Sequence, residues 1–187
     1  IAEEAGHFDF DDVAQAIADK LDARHPHIFG SEQMPGGMRE DRWEAIKAAE
    51  RNARGASSAL DGVAVALPAL TRAEKLQKRA ARTGFDWPDA TGPADKLREE
   101  MQELADAGPG ERESEAGDLL FAAVNLVRVY GIAPEAALRA ANRKFERRFR
   151  AMEDLAQGAF AALSLDQQEA LWQQVKAAEV RRLAQSE

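Results

Sequence analysis

The chain contains no cysteine, which excludes disulfides, thiolate metal sites and cysteine nucleophiles together. Histidine is almost as scarce, His7, His25 and His27 being the whole supply. Neither an HExxH helix nor a Glu-x-x-His pair can be written from them. Zinc hydrolysis, histidine–aspartate phosphohydrolysis and di-iron bundle chemistry are disfavoured accordingly. His25 and His27 flank Pro26, where they read as the end of a helix rather than as ligands. No apolar run reaches membrane-spanning length and nothing resembles a signal peptide, so the expected location is cytoplasmic, with no membrane partner. Excess positive charge is also missing. A formal net charge of −8 and a pI near 5.1 argue against a nucleic-acid polymer as partner, though not against a phosphorylated small molecule carried with a metal.

No segment shows the β-branched alternation of a strand. What remains, 45% hydrophobic and 31% charged over 187 residues, is the composition of a soluble all-α chain with one good core or two small ones. Asp9–Asp12 resembles a helix start, and Val13, Ile17 and Leu21 continue it at helical spacing. Residues 30–38 read as a loop and 41–52 as a helix. The small polar run 54–61 reads as linker. In a helix over 67–81, Leu70, Ala73, Leu76 and Ala80 fall on one side. Gly84–Pro88 stops that helix, and its Phe85 and Trp87 are expected to anchor in the core. An apolar helix follows Asp118 as far as Gly131. Further helices start at Pro134, near a first turn, and after Ser164-Leu165-Asp166.

The stretch Lys96–Phe121 (KLREEMQELADAGPGERESEAGDLLF) dominates the chain. Gly108-Pro109-Gly110 breaks it into two helical runs. Glu103 and Glu115 each lie six residues from Pro109, and Glu100 and Asp118 each lie nine. An antiparallel hairpin therefore brings these carboxylates to matching heights. Glu99, Glu100 and Glu103 are related by three and four residues, and Glu115 and Asp118 by three, so each helix can present its acids on one face. Facing acids repel, and a divalent cation relieves them. Oxygen-only ligands favour Mg²⁺ or Mn²⁺. The bland alternative is a solvated acidic face. Against it stand the apolar LLFAAVNLV directly after Asp118, where a lone acid is unfavourable, and the lack of any Lys or Arg within Glu115–Leu126.

A partial repeat joins 10–50 to 134–179. Lys20 and Arg24 parallel Lys144 and Arg148, while Trp43 and Lys47 parallel Trp172 and Lys176. Lysine and arginine suit phosphate, and Trp172 suits a base or ribose. The alternative is that Trp172 packs in the core while the basic chains reach solvent. The acid hairpin precedes only the second copy. Together with the opening on Ile1, this leads to the expectation that further residues precede the chain.

These residues together resemble the MazG-type nucleoside triphosphate pyrophosphohydrolases in their two-domain form, from about Gly6 to the C-terminus. Glu99-Glu100-Met101-Gln102-Glu103 matches the family's E-E-x-x-E and Glu115-Ala116-Gly117-Asp118 its E-x-x-D. Gly84-Phe85-Asp86-Trp87, Lys144-Phe145-Glu146-Arg147-Arg148-Phe149 and Trp172-Gln173-Gln174-Val175-Lys176 match the surrounding text. Ser114 departs from the pattern, standing where a further Glu is common. The resemblance implies a helical bundle of the MazG-like type, usually a homodimer, that hydrolyses nucleoside triphosphates to monophosphate and pyrophosphate with broad base specificity, in a nucleotide-cleansing role. Residues 1–53 would be the tail of an N-terminal domain, 54–66 a linker and 67–187 the catalytic domain. Glu100, Glu103, Glu115 and Asp118, with Glu99 beside them, would hold Mg²⁺, for which Mn²⁺ is a possible substitute. Lys144, Arg148, Trp172 and Lys176 would bind substrate. The competing expectation is a non-catalytic dimerisation or regulatory protein on the same frame.

Overall fold

A computed structural model describes residues 6–24, 45–49, 53 and 55–184. The loop expected over 30–38, His25, His27 and Trp43 lie outside the described residues. Two compact units, 1–62 and 63–187, divide the chain.

In the first unit, α1 (Phe10–Arg24) starts on a reciprocal cap. The Asp9 amide donates to Asp12 Oδ2 at 3.0 Å, and the Asp12 amide donates to Asp9 Oδ1 at 2.9 Å. Two otherwise orphaned amides are satisfied this way. Residues 45–49 are helical. Asp61 gathers the amides of Ser57 (2.8 Å) and Ser58 (2.9 Å), bonds that hold its carboxyl below the usual range.

The second unit is a helical bundle, and its described residues contain no strand. Its helices are α2 (Ala69–Ala81), α3 (Thr91–Asp106), α4 (Arg112–Val129), α5 (Pro134–Leu155) and α6 (Leu165–Ala184), with a short 3₁₀ turn at Phe160–Ala162. The α3–α4 pair is packed most extensively, α5 pairs with α6, and α2 lies against α4 and α5. Buried Gln77 ties α2 to α4, its Nε2 donating to the Phe121 carbonyl at 2.8 Å. Helix α3 starts five residues before Lys96 because Pro93 fits a first turn, where a missing N–H does no harm; Pro93 is fully buried. Between α4 and α5 the chain bends by 103° at Gly131, whose φ of +72° suits a residue without Cβ. Ser164 and Gln167 cap α6 reciprocally, amide to side chain in both directions.

The core is small. Among the described residues, Ala122, Val124, Met152 and Val175 are the buried hydrophobics, whereas Met101, Leu120, Phe121, Leu138 and Phe145 are exposed. Among the described residues, no single helix is long and apolar enough to cross a membrane.

One expectation is overturned here. Phe85 and Trp87 do not anchor in the core, being 82% and 50% exposed. The anchor of their loop is polar. Arg128, at the end of α4, grips Asp86 through both terminal nitrogens, at 2.6 and 3.1 Å. Asn125 Oδ1 accepts from the same guanidinium, at 3.0 Å from Nε and 2.7 Å from Nη2. The Arg128 hydrogen bonds hold the Asp86 carboxyl below its ordinary value.

Candidate active site

The turn at 107–111 closes a hairpin of α3 and α4. Gly108 accepts from the amides of Glu111 (3.0 Å) and Arg112 (3.2 Å), which carries the chain straight from one helix into the next. The hairpin brings Glu100, Glu103 and Glu115 together, each offering a carboxylate oxygen within 4.8 Å of the others. Their environments differ. Glu100 is 5% exposed, Glu115 is half-buried and Glu103 is exposed. Glu103 has its carboxyl pushed up, first by partial desolvation and then by the neighbouring Glu100 and Glu99 charges, against the opposing pull of Lys96.

Lys96 is a neighbour of the cluster that inspection of the acids alone misses. Its Nζ lies 2.8 Å from Glu99, 2.7 Å from Glu100 and 4.0 Å from Glu103. The sequence signal is K-x-x-E-E-x-x-E, a lysine placed three, four and seven residues before three glutamates on one helical stripe. Hydrogen bonds to Glu100 and Glu99 raise its pKa further, so it stays cationic. The acids thus face a cation from within α3.

Asp118 stands apart from the triad. It is exposed and is not among the three carboxylates that converge, although it shares a side of α4 with Glu115. Glu99 is likewise exposed and engaged by Lys96.

The expected substrate-binding residues lie on the α5–α6 pair. Arg148 Nε donates to Glu179 Oε2 at 2.8 Å, and its guanidinium sits 5.4 Å from the centre of the Trp172 ring. Trp172 packs 5.8 Å from Phe145, which stacks on Phe149. Arg148, followed by Arg147, holds the Glu179 carboxyl below its usual value. Lys144 is exposed and Lys176 half-buried. Within one chain the tryptophan therefore touches Phe145 and Arg148, and the arginine has a carboxylate partner. Of the matching residues in the first unit, Lys20 is exposed and Lys47 half-buried.

Three carboxylates with converging oxygens and no nitrogen or sulfur donor can hold a divalent cation, and such a donor set suits a hard ion. The buried position of Glu100 adds to the fit, because a buried carboxylate is stable only beside positive charge.

Comparison with known proteins agrees with this chemistry. The MazG nucleotide pyrophosphohydrolase domain matches residues 1–29. The chain is 45% identical over 190 residues to the nucleoside triphosphate pyrophosphohydrolase of Escherichia coli (strain K12), covering 96% of this chain and 72% of that protein. It is 44% identical over 156 residues to the nucleoside triphosphate pyrophosphohydrolase/pyrophosphatase MazG of Thermotoga maritima, covering 83% of this chain and 60% of that one. The nucleoside triphosphate pyrophosphohydrolase of Mycolicibacterium smegmatis is 28% identical over 174 residues.

Proposed function

The chain belongs to the MazG family of nucleoside triphosphate pyrophosphohydrolases, and from that premise we propose that its 67–187 region converts nucleoside triphosphates to monophosphate and pyrophosphate at the α3–α4 hairpin. The convergence of Glu100, Glu103 and Glu115 within 4.8 Å carries the reading. Asp118 and Glu99 complete the acidic set, and Mg²⁺ is the proposed ion, with Mn²⁺ as substitute. When bound, the cation would neutralise the triphosphate and supply Lewis-acid assistance to attack by water. Glu100, buried and already ion-paired, is the carboxylate best placed to orient that water. The water oxygen bonds to the α-phosphorus as its proton passes to a site carboxylate and on to solvent, the bond from that phosphorus to the bridging oxygen breaks with its electron pair staying on that oxygen, and pyrophosphate departs. Lys96 meets the phosphate chain from the α3 side, and Lys144, Arg148 and Lys176 supply further positive charge. Trp172 supports Arg148 beneath the nucleotide. The broad base specificity and cleansing role are part of the same proposal.

The working unit is a homodimer. Apolar side chains at Met101, Leu120, Phe121, Leu138 and Phe145 are exposed on three helices, while four hydrophobics among the described residues are buried in the core; a second copy is the natural cover for such faces. Sedimentation at micromolar concentration is expected to give a dimer, and a monomer throughout would rule this out. For the reaction, a panel of nucleoside triphosphates with Mg²⁺ is expected to release pyrophosphate and monophosphate. Orthophosphate and diphosphate as the products would refute the cleavage position.

A further inference from the structure

The α5–α6 pair carries a groove that the proposed reaction leaves unused. Its apolar part is a hollow of about 570 Å³, walled by Ala151 and Leu155 of α5 and by Val175 and Ala178 of α6. Arg147, Arg181 and Arg182 stand around it. A second hollow, of about 430 Å³, adjoins the first and shares Arg147, Ala151 and Asp154 with it. Arg143 and Arg150 line this second part. Both volumes fall in the range of small-molecule sites. Lys144, Arg148, Trp172 and Lys176, the residues expected to bind substrate, line neither hollow.

The charge of the groove is out of keeping with the chain. Arg143, Arg147 and Arg150 recur at intervals of four and three residues, which sets them on one face of α5. Glu179 is already engaged by Arg147 at 3.1 Å and by Arg148 at 2.8 Å. Arg143, Arg150, Arg181 and Arg182 have no partner among the described residues. The other acids lining the groove are Glu146 and Asp154. Positive charge thus exceeds negative here, in a chain whose formal net charge is −8. Neighbouring guanidiniums repel, and apolar side chains beside them reduce the screening that water gives. An oxyanion relieves that repulsion, and guanidinium forks match its oxygens. Three forks along one face suit a phosphate, which offers three terminal oxygens, better than a carboxylate, which offers two. The apolar hollow suits hydrocarbon, and Leu155 on its wall is 45% exposed.

We propose that this groove binds a small amphiphilic phosphate, its head held by Arg143, Arg147 and Arg150 and its hydrocarbon body laid between Ala151, Leu155, Val175 and Ala178. Each half of the groove answers to one half of such a ligand. A bare oxyanion leaves the apolar hollow unfilled, and a neutral hydrocarbon leaves the arginines unpaired. A lipid surface presents the same two chemistries. The groove is concave and runs between two helices, so a dissolved molecule enters it where a flat surface cannot follow.

The test uses the full chain without Mg²⁺. Calorimetry measures octyl phosphate, inorganic phosphate and octanol, each below any micelle-forming concentration. Octyl phosphate is expected to bind at least about tenfold more tightly than either of the others. Arg143→Gln combined with Arg150→Gln is expected to weaken it on the order of tenfold. Ala178→Trp, which fills the hollow and keeps every charge, is expected to weaken it about as much. Lys144→Gln combined with Lys176→Gln leaves it within about twofold. Equal affinity for octyl phosphate and inorganic phosphate overturns the proposal, because the apolar hollow would then contribute nothing. So does a loss confined to the Lys144 and Lys176 variant, which would put the ligand among the substrate residues. Binding to phosphatidylglycerol vesicles with none to dissolved octyl phosphate also overturns it, in favour of a membrane. Circular dichroism identifies any variant that fails to fold. The arginine pair and Ala178→Trp probe opposite ends of the groove, so unchanged affinity in whichever of them folds is enough to refute the site.

Discussion

Under the proposed reaction, Asp118→Asn is expected to reduce Mg²⁺-dependent pyrophosphate release by roughly a thousandfold, the several kcal/mol of transition-state stabilisation that loss of a metal ligand removes. The same change is expected to leave thermal stability in chelator unchanged or slightly raised. Asp118 is exposed and makes no ion pair among the described residues, so the fold does not use its charge. Glu100→Gln should match that loss in rate but behave differently in chelator. Its carboxylate is buried and is the closest partner of Lys96, so its neutralisation also releases an anchored lysine and lowers the unfolding temperature. Unfolding in chelator and pyrophosphate release in Mg²⁺ read the two effects separately. Near-normal turnover in a stable Asp118→Asn protein would remove that residue from the site, and near-normal turnover in Glu100→Gln would undo the assignment of the whole hairpin.

The second large effect concerns stability. Asp86→Ala leaves Arg128, whose side chain is 9% exposed, with Asn125 as its remaining partner. An under-paired buried guanidinium of this kind should cost about 2–4 kcal/mol. The pH dependence has a definite sign. Arg128 depresses the folded-state pKa of Asp86 relative to an unfolded value of about 3.9. The stabilisation is therefore fully present above that unfolded value and is lost as pH falls through the lower, folded one. Glu179, depressed by Arg148 and Arg147, adds a contribution of the same sign beginning at about 4.3. Denaturant unfolding of the unaltered protein and of Asp86→Asn across pH 2 to about 6 isolates the Asp86 share as the difference between the curves. Parallel curves would show that the clamp contributes nothing.

The site's register was legible because it rests on local rules. Gly108-Pro109-Gly110 fixes where the chain reverses, and helical spacing fixes which glutamates face across the reversal, so Glu103 and Glu115 could be paired from the sequence. The start of α3 was hidden, since Thr91-Gly92-Pro93 reads equally as loop and as first turn, and burial of Pro93 decides between them. Asp118 was misplaced for a related reason. The apolar run after it suggests burial, but a helix rotates each residue away from the next, and one position before Leu119 is enough to face water. The orientation of Phe85 and Trp87 could not be read at all. It depends on Asp86 meeting Arg128, 42 residues away in the chain, and no local pattern announces such a contact. The contact of Trp172 with Phe145 could be anticipated, because Phe145 and Phe149 sit at helical spacing on one helix.

The shortness of the α3–α4 connection bears on how the protein folds. Glu100 and Glu115 are separated by fifteen residues, while Arg148 and Glu179, which join α5 to α6, are separated by 31. Closing the shorter loop sacrifices less chain entropy, and contacts of low sequence separation form fastest. The acidic hairpin should therefore dock before the basic helices find each other. Stopped-flow measurements on variants of Leu104 and Val175 would show the former slowing folding and the latter chiefly speeding unfolding; the reverse pattern would contradict this order. During that interval three converging carboxylates exist without the rest of the site. Lys96, carried on the same helix and needing no long-range contact to reach them, is what lets the hairpin close before any ion arrives.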